Sequence, residues 1–373
     1  MRRNNLGKKP VIKIGKHVIS DYSPCFVIAE LGHNHQGNIE TAKKLIDAAA
    51  ASGVSAVKLQ KRFNKDLYTA EMYEMPYEHE NSFGKTYGEH REFLEFGKKE
   101  YKLLKERAEK LGVIFLATAF DFKSADFLEE IGVPLYKIAS ACITDTPLIE
   151  HIAKKDKPIF LSTGASKIKD VDRAYKLIRN YGVPLCILQC TALYPLFDYM
   201  EMNLNVIRTY KKRYPDAIIG LSSHESGIVM PAVAYALGAR AVEKHFTLNR
   251  AMKGTDHHFS LEPQGMRKMV RDLNRLHEAL GNGKKRYYPS ELEPKKKMGK
   301  SIVIKNRIKK GTIITPEHIA FKSPGIGIPP YMIEKILGKS ALKDLEADTI
   351  LDWNHLSKRS VQKLNRPIDW SCS

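Results

Sequence analysis

Short continuous apolar runs recur along this chain, and each is followed by a stretch with helical spacing of its apolar positions. The runs predict strands at 26–31, 56–60, 114–119, 135–139, 158–162, 185–190, 217–221 and 239–245. The helical spacing predicts helices at 39–52, 98–111, 124–131, 147–155, 171–181, 203–213, 228–237 and 265–280. Unbroken apolar strands, rather than alternating ones, are what parallel strands covered on both faces require. Gly53, Gly112, Gly132, Gly182, Gly238 and Gly281 stand just past helix ends, where a positive φ is wanted. Eight β/α units in roughly 250 residues predict a (β/α)8 TIM barrel, an α/β fold. A doubly wound open sheet is the competing arrangement, but no GxGxxG follows the first strand.

Three segments break the alternation. Residues 11–20 read as a small hairpin ahead of the barrel. The connection 61–97 is far longer than the ~15 residues beyond which loops carry function or disorder. Its aromatics and charges suggest a substrate-covering loop, a disordered insertion being the other reading. After 281–283 the pattern changes to a Pro- and Lys-containing linker without periodicity, then to short β-rich pieces in which KKGTIITPEHI is loosely echoed by EADTILDWNHL. The predicted organisation is a catalytic barrel with its hairpin at 1–283, a linker at 284–298, a small β-clip domain at 299–358 and a tail at 359–373.

At 373 residues and 43% hydrophobic content the chain can bury a sizeable core. No apolar run reaches membrane-span length, so no membrane partner is expected. The first ten residues are basic without an apolar core and do not resemble a secretory signal. Five cysteines form no CxxC pair, and Cys186 and Cys190 lie in a strand run, which suggests free thiols in a reducing cytoplasm. The formal charge of +19 is densest in 284–310, where lysines and arginines face only Glu291 and Glu293. No zinc-finger, RRM or recognition-helix pattern accompanies it, so nucleic acid is not the expected partner. An anionic substrate or a solvated lysine-rich face accounts for the sign.

Polar residues gather where barrel active sites lie, at the C-terminal strand ends. Those ends carry Glu30, Lys58 with Gln60, Thr118, Lys137 with Ser140, Ser162, Gln189, Ser222 with His224, and Glu243 with His245. Residues two apart share a face of a strand. Two histidines from neighbouring strands can hold a divalent metal and leave coordination positions open; the bland reading is a helix cap and an interior histidine. Lys58 and Lys137 follow apolar residues in strands expected to be buried, where an unpaired ammonium costs several kcal/mol. Two lysines among hydroxyls fit a multiply charged anion; rim snorkelling or a Schiff-base lysine are the alternatives.

The stretches AELGHNHQG (29–37), VKLQK (57–61), YKIAS (136–140), LSTGAS (161–166), QCTALYP (189–195), IGLSSHESG (219–227) and EKHFTLNRAMKGTDHHFSLEP (243–263) closely resemble the sialic acid synthase family in its own order. Residues 301–356 resemble that family's C-terminal SAF (antifreeze-like) domain. The resemblance implies condensation of phosphoenolpyruvate with an N-acylmannosamine-type aldehyde, giving a nonulosonic acid and phosphate. It implies that His224 and His245 bind Mn²⁺ or Mg²⁺, and that Lys58, Thr118, Lys137, Ser140, Ser162 and Ser222 hold phosphoenolpyruvate. Glu30 would move a proton or stabilise a cation, Gln60 and Asp256 would contact sugar hydroxyls, Tyr194 would line the pocket, and Glu243 would orient a metal ligand or water. A homodimer with swapped SAF domains is implied as well. Cys142, Ala192 and Ser323 depart from the bacterial pattern, whereas SFGKTYGEH and LEF resemble the animal-type synthases, whose acceptor is a 6-phosphorylated mannosamine. Other aldoses as acceptor, or a non-catalytic anion- or polysaccharide-binding protein, are the competing readings.

Overall fold

A computed structural model describes residues 9–361. Cys372, most of the basic first ten residues and most of the tail lie outside the described residues. The chain divides into two compact units, Met1–Asn282 and Gly283–Ser373.

The first unit is a closed barrel of eight parallel strands, which excludes the open sheet. The strands are β1 (Phe26–Gly32), β2 (Ala56–Lys61), β3 (Ile114–Ala119), β4 (Tyr136–Ile138), β5 (Ile159–Ser162), β6 (Leu185–Cys190), β7 (Ile218–Ser223) and β8 (Ala241–His245), and β8 pairs with β1 to close the ring. The helices that follow them are α1 (Ile39–Ala51), α2 (Lys98–Lys110), α3 (Phe122–Ile131), α4 (Thr146–Ala153), α5 (Ile168–Asn180), α6 (Val206–Arg213), α7 (Val229–Leu237) and α8 (Pro263–Leu280). All six glycines expected at helix ends have positive φ. Helix starts shift by a few residues from the sequence reading where a cap decides them: Asp121 accepts from Ser124 N and so starts α3 at Phe122.

The barrel interior is layered by the two-residue period of its strands. Phe26, Ile28, Ala56, Leu116, Leu135, Phe160, Cys186, Leu188, Ile218 and Ala241 form one apolar layer, into which the hairpin Val11–Ile14/His17–Ser20 inserts Ile12, Ile14 and Ile19. A side chain at Gly220 would meet Leu188 Cδ2 at 2.4 Å, so that layer has no room for one there. Further along most strands the inward positions turn polar, at Glu30, Lys58, Thr118, Lys137, Ser162, Ser222 and Glu243. A dry base thus supports a charged rim.

The long connection 61–97 is not a disordered insertion. It carries short helices at Asn64–Leu67, Ala70–Glu74 and Tyr87–Phe93, the last started by a Thr86–Glu89 capping box. The second unit contains β9 (Ser301–Ile304) antiparallel to β10 (Ile319–Lys322), around a core that includes Ile302, Ile304, Ile314, Ile336 and Leu351. The echoed motifs make equivalent turns, with Thr315 and Asp352 each capping a single 3-10 turn. The stretch read as an unpatterned linker includes a short helix, Leu292–Met298, and Gly325 N donates to Lys296 O at 2.7 Å.

Candidate active site

Glu30, Lys58, Gln60, Thr118, Lys137, Ser140, Ser162, Tyr194, Ser222, His224, His245 and Asp256 all line one cavity of about 440 Å³. The barrel register brings the strand-borne members together. Thr118 and Lys137 are paired across β3 and β4, Glu30 and Lys58 across β1 and β2, and Ser222 and Glu243 across β7 and β8. The residue between Glu243 and His245 points the other way: Lys244 pairs with Glu225 at 3.2 Å.

Neither lysine is an unpaired ammonium. Lys58 Nζ lies 2.8 Å from Glu30 Oε2 and 3.4 Å from Glu243 Oε1, and donates to Thr118 Oγ1 at 2.7 Å. Lys137 Nζ donates to Ser162 Oγ at 2.7 Å and stands 3.8 Å from the same Glu243 Oε1. Burial works against the Lys58 ammonium, but the Glu243 and Glu30 carboxylates outweigh it and hold its pKa above the usual lysine range. Lys137 ends up below that range, because burial is aided by the neighbouring Lys58 and only partly offset by Glu243. Glu243, read as a helper to a metal ligand, is also the shared counter-charge of both lysines. Burial opposes its carboxylate, yet Lys137 and Lys58 hold it below the ordinary range.

Opposite these groups, the His224 and His245 rings lie 5.3 Å apart, and Tyr194 covers His224 at 4.1 Å. His224 Nδ1 is 3.0 Å from Thr191 O; as the donor there it leaves the Nε2 lone pair free. Burial, then the neighbouring His245, pushes the His224 pKa down to about 3, so the ring is a neutral ligand. His245 Nδ1 and Glu243 Oε2 are buried without a hydrogen-bond partner, and Asp256 Oδ2 is 3.6 Å from His245 Nδ1. Such orphaned acceptors fit a divalent cation. Among the described residues no group of three or more His, Cys, Asp or Glu is placed to hold a metal ion.

Other cavity residues were missed by the sequence reading. His33, Arg62 and Arg91 also line the cavity. Arg62 was legible in principle, since it continues the Lys58–Gln60 spacing by two; Arg91 comes from the long connection, where no periodicity points inward. Cys142, one of the departures from the bacterial pattern, is buried in the core, its Sγ 3.9 Å from Phe120 O. Ala192 does line the cavity, and Ser323 Oγ donates to Met298 O at 3.3 Å within the second unit.

Residues 45–285 match the NeuB family, and residues 299–357 match the SAF domain. The chain belongs to the NeuB family. Among its NeuB-family relatives, the human N-acetylneuraminate-9-phosphate synthase is 39% identical over 88% of this chain and 92% of its own length. The N,N'-diacetyllegionaminic acid synthase of Legionella pneumophila is 34% identical over 89% of this chain and 94% of its own. The solved N-acetylneuraminic acid synthetase of Leptospira borgpetersenii superposes with a TM-score of 0.68 at 34% identity, covering 77% of this chain and 95% of that one. The described residues contain no helix long and apolar enough to cross a membrane.

Proposed function

We propose that this protein condenses phosphoenolpyruvate with an N-acylmannosamine, or its 6-phosphate, to give a nonulosonic acid and inorganic phosphate. The observation that carries the reading is the meeting of Lys58 and Lys137 on one Glu243 oxygen, in the same cavity as the His224–His245 pair, within a NeuB-family chain.

Lys58, Lys137 and the hydroxyls of Thr118, Ser140, Ser162 and Ser222 hold the phosphate and carboxylate of phosphoenolpyruvate. His224 and His245 would hold Mn²⁺ or Mg²⁺, which when bound polarises the acceptor aldehyde as a Lewis acid. Gln60 and Asp256 orient the open-chain sugar by its hydroxyls, and Tyr194 walls off the pocket. Carbon C3 of phosphoenolpyruvate bonds to the aldehyde carbon, and positive character develops at C2. Glu30 stabilises that charge and accepts a proton from the water that adds at C2. The bond from C2 to the phosphate-bridging oxygen then breaks and phosphate leaves, while the C2 hydroxyl gives up its proton to become the ketone; the two protons of the water end on the former aldehyde oxygen and on the phosphate.

A related acceptor, such as a diacetamido hexose, is the second reading; it is favoured by the legionaminic acid synthase relative and by Ala192 at a lining position. Phosphate release and product mass, measured with phosphoenolpyruvate and a panel of aldoses, decide between them. No release with any aldose would sink both. A swapped homodimer in which the SAF domain completes the partner's site belongs to the same proposal, and full turnover by a chain ending at Gly283 would overturn it. The four described cysteines are free and buried, which suits a reducing cytoplasm.

A further inference from the structure

His33, Arg62 and Arg91 take no part in the chemistry above, yet three separate segments bring them to the cavity wall. Arg62 Nη1 lies 3.1 Å from His33 Nε2, and Arg91 Nη1 lies 3.2 Å from His33 Nδ1. A neutral imidazole has one acceptor nitrogen, and the other carries a hydrogen. His33 can therefore satisfy only one guanidinium, and at the other contact N–H faces N–H. A protonated ring would accept from neither. Burial, then the charges of Arg62 and Arg91, holds the His33 pKa well below the usual range, so the neutral ring is the one present.

Donors are in excess here. Arg91 Nε is buried with no hydrogen-bond partner. Among the described residues no carboxylate forms an ion pair with either guanidinium: Glu95 is taken by Lys61 at 2.8 Å, and Asp256 faces His245. Both forks are nonetheless held in place. Arg62 rests on the Phe120 ring with Cζ 3.7 Å from its centroid and donates to Gln60 Oε1 at 2.6 Å, while Arg91 donates to Tyr87 OH at 2.8 Å. Two fixed guanidiniums with spare donors are the arrangement that recognises a phosphate monoester.

We propose that Arg62 and Arg91, with His33 between them, bind a phosphate carried by the acceptor sugar, so that the protein selects a sugar phosphate over the free sugar. The inference rests on the synthase reading and names the acceptor class for it. Phosphoenolpyruvate is not the source of this phosphate, because its two anionic groups are met by the strand-borne lysines and hydroxyls. The arginine pair lies on the sugar side, reached from Glu30 through Gln60, whose Nε2 donates to Glu30 Oε1 at 2.7 Å. Where the sequence reading left the 6-phosphate as one option among acceptors, the arginine pair gives that option a place to bind.

The full chain is assayed by phosphate release with N-acetylmannosamine and with its 6-phosphate, and each sugar is also titrated calorimetrically without phosphoenolpyruvate. The 6-phosphate is expected to have the higher kcat/KM and the tighter binding. Arg91→Gln and Arg62→Gln are each expected to cut that preference on the order of 10- to 100-fold, in KM for the sugar phosphate and not in KM for phosphoenolpyruvate. Equal use of both sugars by the wild type, or a loss confined to phosphoenolpyruvate, overturns the proposal. If no aldose releases phosphate, the synthase reading fails, and the titration still decides this one: binding of the 6-phosphate no tighter than that of the free sugar refutes it. Should a glutamine variant fail to fold, Arg91→Lys keeps the charge but loses the fork, and must still weaken the sugar phosphate; unchanged binding counts against the site.

Discussion

Glu30 and Lys58 are register partners on adjacent barrel strands, and their charged ends meet at 2.8 Å almost completely out of contact with water. Removing one partner of such a pair leaves the other charge uncompensated, which costs about 3–5 kcal/mol. Here Glu243, 3.4 Å from the same ammonium, softens the loss. Glu30→Gln is therefore expected to fold, with a loss toward the low end of that range by denaturant titration. Its kcat should fall by roughly 10²–10³, as for other groups that meet developing charge. A variant with wild-type kcat would remove Glu30 from the chemistry.

The histidine pair separates metal dependence from stability. Chelator is expected to abolish phosphate release, and added Mn²⁺ or Mg²⁺ to restore it. His224→Ala should lose turnover at any metal concentration and also lose Mn²⁺ binding measured by calorimetry. Turnover that survives both treatments would exclude the two imidazoles as the ion's holders.

Stability should rise with pH across the mildly acidic range. His35 is buried against Phe96 with ring centroids 4.3 Å apart, and burial drives its pKa down to about 3. A folded pKa below the unfolded one means that the unfolded chain binds the extra proton. The contribution is thus present above pH ~6.5 and is lost as pH falls toward the folded value. His35 alone should remove about 2 kcal/mol between pH 7 and pH 5, and His33 acts in the same direction. Urea titrations of the wild type and of His35→Asn at both pH values test this. The variant must show a smaller loss.

Gly164 is held to the cavity wall by its neighbours. Its N–H donates to Ser140 Oγ at 2.8 Å, and an added Cβ would stand 2.8 Å from Ala192 Cβ and 2.9 Å from that same Oγ. Gly164→Ala is expected to cost about 1–3 kcal/mol by overpacking and to raise KM for phosphoenolpyruvate by displacing Ser140. An unchanged KM would mean that Ser140 does not touch that substrate.

The eight strands were legible because a doubly covered strand must be apolar throughout, and the polar residue that ends each run marks where the covering stops. Lys58, Lys137, His224 and His245 were readable for that reason. Their partners were less so. That Glu243 would serve both lysines depends on strand curvature and rotamers, neither of which the alternation of residues encodes. Arg91 reaches the cavity from a connection whose path is set by tertiary contacts such as Asn81 accepting from Gly254 N at 2.8 Å. Motif spacing is equally silent on where the Cys142 side chain goes: it lies in the 3-10 turn Ser140–Cys142 and is buried in the core.

Glu243 gives the empty protein a way to avoid indiscriminate capture. With both ammoniums already engaged by this internal anion, the lysine corner of the pocket attracts a passing monoanion less than two unpaired ammoniums would. Only a ligand carrying enough negative charge to out-compete that carboxylate, and reaching both lysines at once, gains by entering.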